Sequence, residues 1–159
     1  MAIQLKNKNS FIKTLNPIKS RNLVFKPSKP GAQMRHIDIA TEYAKGWNNL
    51  NFTNFFECLD ADCELSSYWV LSNLKGKLAI ADYLNKKVET IKRANHKVYA
   101  ELGTCTVTEV GSPCVVLAQS DPANREGVVT FKINSNLVTE MNICAFQILA
   151  PNCSGIYPK

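Results

Sequence analysis

The feature that most constrains the fold is one long amphipathic segment, residues 77–93, which four strand-like segments follow without another helix. Within it an apolar side chain returns every three or four residues, which predicts a helix with one buried side. That apolar side consists of Ile80, Leu84, Val88 and Ile91. The four segments after the helix span residues 97–108, 113–119, 126–134 and 137–149. Short turn sequences separate these segments, so we expect them to pair as antiparallel hairpins.

Two shorter helical patterns and one strand precede the long helix. The first apolar stripe, which ends near Asn49, consists of Ala40, Tyr43, Ala44 and Trp47. Asn51 is a good N-cap for a second helix, and the stripe of that helix consists of Phe52, Phe55, Phe56 and Leu59. Residues 63–70 then alternate as a strand does, and residues 74–76 are typical of a loop. Helices gathered early and strands gathered late predict the α+β class, with three N-terminal helices packed in a curved antiparallel sheet.

Charge and composition divide the chain into three parts. With 159 residues, of which 45% are hydrophobic, one domain with a real core is expected. Residues 1–35 hold eight basic side chains and no acid, whereas the remaining residues hold 11 basic and 13 acidic ones. We therefore predict a basic N-terminal extension over 1–33, a domain over 34–150 and a C-terminal tail over 151–159. Three interpretations of the extension stay open: a flexible tail, a segment upstream of a native start at Met34, and an arm that packs on a partner subunit.

The six cysteines and two histidines do not indicate a metal site, because no two cysteines have C-x-x-C spacing. We expect no metal and no cofactor, since the sequence also has no P-loop and no dinucleotide-binding fingerprint. No apolar run approaches the roughly 18 residues of a membrane helix, and the N-terminus has no apolar signal-peptide stretch. The expected location is therefore the reducing cytoplasm. Cys105 and Cys114 are predicted to lie near one hairpin turn, and we interpret them as packed apolar side chains.

The order of these elements resembles the SnoaL-like branch of the nuclear transport factor 2-like superfamily over residues 37–146. The sequences that carry the resemblance are Tyr-Ala-Lys-Gly-Trp-Asn-Asn-Leu-Asn-Phe at 43–52, Leu-Asp-Ala-Asp-Cys-Glu-Leu at 59–65, Leu-Lys-Gly-Lys-Leu-Ala-Ile at 74–80 and Asn-Leu-Val-Thr-Glu-Met at 136–141. The resemblance implies a cone-shaped barrel, in which a strongly bent sheet wraps the long helix and leaves an open-ended pocket. It also implies a homodimer that forms through the outer face of the sheet.

Two catalytic patterns of that superfamily match this chain only in part. In the steroid isomerase pattern Tyr43 resembles the hydrogen-bond donor, but the position of the carboxylate base falls near Ser66 or Ser67. A serine hydroxyl does not remove a carbon-bound proton without an activating base of its own. In the polyketide cyclase pattern a histidine and an acid should follow Glu140, but the next residues are Met141, Asn142 and Ile143. We therefore expect both activities to be absent, and the catalytic residues are left unassigned.

What remains is a set of aromatic and polar side chains that the resemblance places around the pocket. Ligand pockets are mostly apolar with a few polar groups that fix orientation. The candidate ligand-binding residues are Tyr43, Trp47, Phe56, Ser67, Trp69, Tyr83, Gln119 and Asn142. Trp47 and Phe56 have an alternative interpretation as plain core, because an aromatic side chain at helical spacing most often packs in the interior.

Three functions stay open at this point. The first is a protein with a pocket for a small, largely apolar ligand, either a binding protein or an enzyme of the isomerase, cyclase or dehydratase kind. The second is a non-catalytic dimeric association module. The third is binding of nucleic acid or another anionic surface through the basic extension, which we rank last because the extension has only Phe11 and Phe25 as aromatics. No membrane partner is expected.

Overall fold

A computed structural model describes residues 35–159, except for the side chains of residues 70–72. The predicted extension over residues 1–33 lies outside the described residues. The helices of the described range are α1 (His36–Asn48), α2 (Thr53–Phe56), α3 (Lys77–Ala94) and α4 (Phe146–Leu149). The strands are β1 (Leu59–Ser67), β2 (Val70–Lys75), β3 (Val98–Thr104), β4 (Pro113–Gln119), β5 (Arg125–Asn134), β6 (Leu137–Ala145) and β7 (Asn152–Cys153). None of these helices is long and apolar enough to cross a membrane.

The strands form one sheet in the order β2-β1-β6-β5-β4-β3-β7. The predicted α+β class is confirmed, but the sheet is mixed, because β1 and β6 pair in parallel while the other neighbouring strands are antiparallel. The parallel pair arises because β6 returns to β1 through β2, α3 and three further strands, a connection that leaves both strands pointing the same way.

The detail of three N-terminal helices is not confirmed. The second helix has four residues, since the chain enters β1 at Leu59 and the Val138 N–H donates to the Cys58 carbonyl at 2.8 Å. Pairing with the sheet thus overrides the helical spacing of the phenylalanines. The third helix follows two strands, because the sequence predicted as a loop at 74–76 includes the end of β2, where Leu74 pairs with Leu65.

The two faces of the sheet differ, and the register of β5 and β6 defines them. Phe131 pairs with Met141, and both side chains are buried on the face that contacts α1, which we call the inner face. The next pair along, Thr130 and Asn142, points to the opposite or outer face, because successive strand residues alternate. Helix α3 buries its predicted apolar side, with Ile80 and Leu84 fully covered.

The residues after Ala150 pack along β3. Strand β7 pairs with the end of β3, and the Leu102 N–H donates to the Ile156 carbonyl at 2.9 Å. The carboxylate of Glu101, which is 2% exposed, accepts hydrogen bonds from the Gly155 N–H at 2.5 Å and the Tyr157 hydroxyl at 3.1 Å. The segment that the sequence places in a tail therefore contributes donors to a buried acid of the sheet.

Candidate functional site

Five aromatic rings meet between α1 and the inner face of the sheet, and Tyr43 is at their centre. We call this group the aromatic cluster. The centroid of the Tyr43 ring lies 4.9 Å from the ring centroid of Phe55, 5.3 Å from that of Phe131, 5.6 Å from that of Phe52 and 6.4 Å from that of Trp47. Most of these pairs are edge-to-face, the arrangement that aromatic rings favour when they fill a core. The cluster is therefore a packed apolar layer in which two members carry polar atoms.

A glycine on α1 allows this packing. A Cβ atom at Gly46 would overlap the ring of Phe52. Because Gly46 has no side chain, Phe52 lies flat against the helix, and its ring comes within 5.0 Å of the Trp47 ring centroid. The sequence Gly46-Trp47, which belongs to the segment that carries the family resemblance, thus fixes the shape of the aromatic cluster.

The polar atoms of Tyr43 and Trp47 have no hydrogen-bond partner within residues 35–159. The Tyr43 hydroxyl and the Trp47 Nε1 are both buried. Burial raises the pKa of the Tyr43 phenol, and the nearby Trp47 indole lowers it by a smaller amount, although the two groups do not reach hydrogen-bonding geometry. A buried donor without an acceptor costs about 1–3 kcal/mol. The aromatic cluster therefore presents two unsatisfied donors close together in apolar surroundings.

Helix α3 brings two further polar side chains toward this region. The phenol of Tyr83 acts electrostatically on Tyr43, and burial raises the pKa of Tyr83 itself. The Nζ of Lys87 lies 5.4 Å from the centroid of the Tyr83 ring, a cation–π distance. Burial lowers the pKa of Lys87. Tyr83, predicted from sequence, and Lys87, which was not, thus form one partly buried pair beside the cluster.

Other predicted residues lie at the margins. Phe56 stacks on Phe52 at 6.2 Å, outside the layer that contains Tyr43. Trp69 packs edge-on against the exposed Tyr68, and its backbone N–H donates to the Ser67 hydroxyl at 3.4 Å. Gln119 lies at the end of β4, where its Nε2 is 3.4 Å from Nδ1 of His96.

Asn142 points away from the aromatic cluster, to the outer face. Its Oδ1 accepts a very short hydrogen bond from the Ser66 hydroxyl, and its side chain is exposed. Asn142 was predicted as a pocket residue because an asparagine side chain is costly in a dry core. The register shows instead that Met141 occupies the inner face.

Asn142 borders a groove that the sequence analysis did not identify as a site. This groove, which we call the Glu109 groove, has a volume of about 390 Å³ and lies between α1, the β3–β4 connection, α4 and strands β5 and β6. Its lining residues are His36, Cys105, Thr108, Glu109, Ser112, Pro113, Thr130, Phe131, Lys132, Glu140, Asn142, Cys144 and Leu149. No sequence signal indicated it, because its residues come from separate elements and do not form a spaced motif.

The described residues offer few groups for acid, base or metal chemistry near the aromatic cluster. Within residues 35–159 the buried carboxylate is Glu101, and it is bound to Arg125 at 3.1 Å. No group of three or more His, Cys, Asp or Glu side chains in this range is placed to hold a metal ion. Burial raises the pKa of Cys58 to about 11 and that of Cys63 to about 12, so both thiols are protonated at neutral pH.

Comparison with solved structures shows what this architecture is. A SnoaL-like protein of unknown function from Burkholderia thailandensis aligns with a TM-score of 0.54 and 14% identity, over 69% of this chain and 92% of that protein. Two nuclear transport factor 2-like proteins of unknown function also align. The protein from Mesorhizobium loti has a TM-score of 0.53 and 9% identity, over 76% of this chain and 96% of its own. The protein from Cytophaga hutchinsonii has a TM-score of 0.51 and 12% identity, over 72% and 92%.

The fold is therefore that of the SnoaL-like and nuclear transport factor 2-like proteins, and the resemblance expected from the sequence is confirmed at the level of the fold. No family model matches the chain. No curated protein matches it in sequence. Because one fold can support unrelated activities, the function has to be argued from the site.

Proposed function

We propose that this protein binds a small, largely apolar molecule at the aromatic cluster, and that Tyr43 and Trp47 donate hydrogen bonds to one acceptor oxygen of that molecule. The observation that supports the proposal most directly is the pair of buried donors without partners. A carbonyl or ether oxygen placed between them satisfies both, which recovers the free energy that the unpaired groups cost. The rings around them supply apolar contact for the rest of the ligand.

Binding, rather than proton transfer, is the activity that the local groups favour. Proton abstraction from carbon needs a base, and enzymes of this kind place a carboxylate or histidine beside an apolar substrate. Ser67 pairs with Ile143, two residues from the inner-face Met141, and so lies on the inner face, but it has no activating base among its described contacts. Glu101 has donors on several sides and is held by Arg125. We therefore propose a ligand-binding protein without general acid–base catalysis.

The proposed ligand reaches the cluster only when aromatic side chains move. Tyr43 and Phe55 are 0% exposed, and their polar and ring atoms are covered in this conformation. A site that is closed in its resting state binds more slowly than an open pocket, because the open conformer is a minor state. We expect slow association whose rate reflects opening near Phe52 and Phe55.

The second hypothesis, a homodimeric association module, assigns function to the outer face of the sheet. The described outer-face residues include the ion pairs Lys132–Glu140 at 2.6 Å and Lys75–Glu64 at 2.9 Å. Covering such charges on association costs desolvation free energy unless a partner replaces the water. We rank the hypothesis second for that reason. Sedimentation that shows only monomer at micromolar concentration contradicts it.

The test of the ligand-binding proposal is thermal stabilisation of the full-length protein by a library of small apolar ketones, ethers and lactones. We expect some members to raise the melting temperature, since a ligand that binds only the folded state stabilises it. Tyr43→Phe should abolish or strongly reduce the shift. Tyr68→Phe, which removes a phenol that is 67% exposed, is the matched control and should leave the shift unchanged. Stabilisation by no compound, or an equal shift in Tyr43→Phe, contradicts the proposal.

A further inference from the structure

The Glu109 groove is a second cavity, separate in its chemistry from the aromatic cluster. Its floor is the outer face of β5 and β6, where Thr130 and Asn142 are paired. The aromatic cluster contacts the inner face of the same strands. The floor of the groove and the aromatic cluster therefore lie on opposite faces of the sheet, although Phe131 belongs to the cluster and also lines the groove.

Glu109 is a lining residue of this groove. Its charge acts on three other lining residues. Burial lowers the pKa of His36, and Glu109 opposes that effect. Burial raises the pKa of Cys105 and Glu140 raises that of Lys132, and Glu109 adds to both of these increases. Glu109 itself has no ion-pair partner within 4.0 Å in the part of the chain that the structure describes. Its backbone has a φ of 46°, in the left-handed region that non-glycine residues rarely adopt.

The remaining charges of the groove leave a net negative site. Lys132 is neutralised by Glu140, since Nζ and Oε1 are 2.6 Å apart. His36 is partly buried, and the lowering of its pKa by burial favours the neutral ring at physiological pH. Its Nε2 is buried without a hydrogen-bond partner among the described residues. Glu109 is therefore the one uncompensated charge of the described lining.

Apolar groups border the same space. Leu149 of α4 packs on a core of Cys105, Cys114 and Val128, and it also lines the groove together with Pro113. A ligand with a charged end and an apolar body could therefore contact both the carboxylate and this wall. An anionic ligand meets the like charge of Glu109, which disfavours it.

We propose that the Glu109 groove binds a small organic cation, an ammonium group carried on an apolar body. The ammonium group pairs with the Glu109 carboxylate, and the apolar body lies against Leu149 and Pro113. The groove has about 390 Å³, which accommodates a ligand of this kind. The proposal does not depend on the ligand-binding function of the aromatic cluster.

The experiment compares benzylammonium with its neutral analogue benzyl alcohol, using amide chemical shifts of the isotope-labelled full-length protein at neutral pH. We expect saturable shifts with benzylammonium at millimolar concentration, localised to residues 105–112, 130–132 and 140–144. Benzyl alcohol should bind about fivefold more weakly, since one partly exposed ion pair contributes up to about that factor. Glu109→Gln should reduce the affinity for benzylammonium to that of the alcohol. Glu57→Gln, which changes an exposed acid outside the groove, is the control and should have no effect.

Three results overturn the proposal. The first is absence of saturable shifts with benzylammonium, and the second is equal affinity for the alcohol and the ammonium ion. The third is unchanged affinity in Glu109→Gln. The comparison of the two probes on the unaltered protein remains decisive if the Glu109 variant does not fold, because it needs no substitution.

Discussion

Tyr43 and Trp47 lie one turn apart on α1 with their ring planes at 82°, and each ends in a buried polar atom that no described residue satisfies. Such an arrangement is costly for a core whose only purpose is stability, because replacing an unpaired hydroxyl with hydrogen removes a penalty. Tyr43 and Trp47 thus connect the packing of the domain to the function that we propose for it.

The first prediction concerns the stability of the Tyr43→Phe variant. We expect its free energy of unfolding to be equal to that of the unaltered protein or higher by up to about 1 kcal/mol, because the variant loses an unsatisfied hydroxyl and keeps the ring. Urea unfolding measures this. The comparison variant is Tyr157→Phe, which loses a 3.1 Å hydrogen bond to Glu101 and should be less stable by about 1 kcal/mol. A large loss of stability in Tyr43→Phe would show that its hydroxyl has a partner.

A second prediction concerns the ion pair between β3 and β5. Arg125 donates to Glu101 through Nε at 3.3 Å and Nη2 at 3.1 Å, and the acid is buried while the arginine side chain is 35% exposed. Arg125→Met should lower the free energy of unfolding by about 2 kcal/mol, since it leaves a buried carboxylate with fewer donors. Lys86→Met, which removes the partner of the exposed Asp82, should cost less than about 0.5 kcal/mol. Equal losses in both variants would contradict this account of Glu101.

The third prediction tests the role of Gly46 in shaping the aromatic cluster. Gly46→Ala introduces a Cβ atom that overlaps the Phe52 ring, so that ring must move. We expect destabilisation of about 1–3 kcal/mol, although alanine is the better helix former by about 1 kcal/mol. The near-ultraviolet circular dichroism of the aromatic side chains should change as well. A stabilised variant with an unchanged spectrum would show that Phe52 does not pack on Gly46.

The fourth prediction concerns pH. The folded-state pKa of His36 is lowered by burial, with Glu109 and the Phe131 backbone opposing that effect more weakly. As the pH falls below the ordinary histidine value of about 6.5, the unfolded chain binds a proton that the folded state does not, so stability present above that pH is lost. The loss should be smaller in His36→Gln than in the unaltered protein. An equal loss of stability at low pH in His36→Gln and in the unaltered protein would contradict this account.

Much of the fold follows from local patterns. The bounds predicted for β4 agree with the observed strand, because turn residues lie on both sides of it. The long helix predicted over 77–93 differs from α3 by one residue, because its apolar side is uninterrupted. The length of α2 could not be predicted, since pairing of the Cys58 carbonyl with Val138 decides where the chain enters the sheet. Local spacing carries no information about such a distant contact.

The candidate site was predicted in part. Tyr43 and Trp47 belong to one aromatic cluster and Tyr83 lies beside it, and their part in ligand binding stays a prediction. Asn142 lies on the outer face, since its register with Thr130 decides its direction. Glu109 was missed, because its groove combines the β3–β4 connection with α1 and β5, which are distant from that connection in sequence.

The most direct test of the central claim is the binding of acetophenone compared with ethylbenzene, which has a similar skeleton without the carbonyl oxygen. Thermal stabilisation of the full-length protein and of Tyr43→Phe is measured with each compound. We predict that acetophenone stabilises the unaltered protein more than ethylbenzene does, and that this difference disappears in Tyr43→Phe because the phenol is the donor that recognises the oxygen. Equal stabilisation by the two compounds, or a difference that persists in Tyr43→Phe, would contradict the claim.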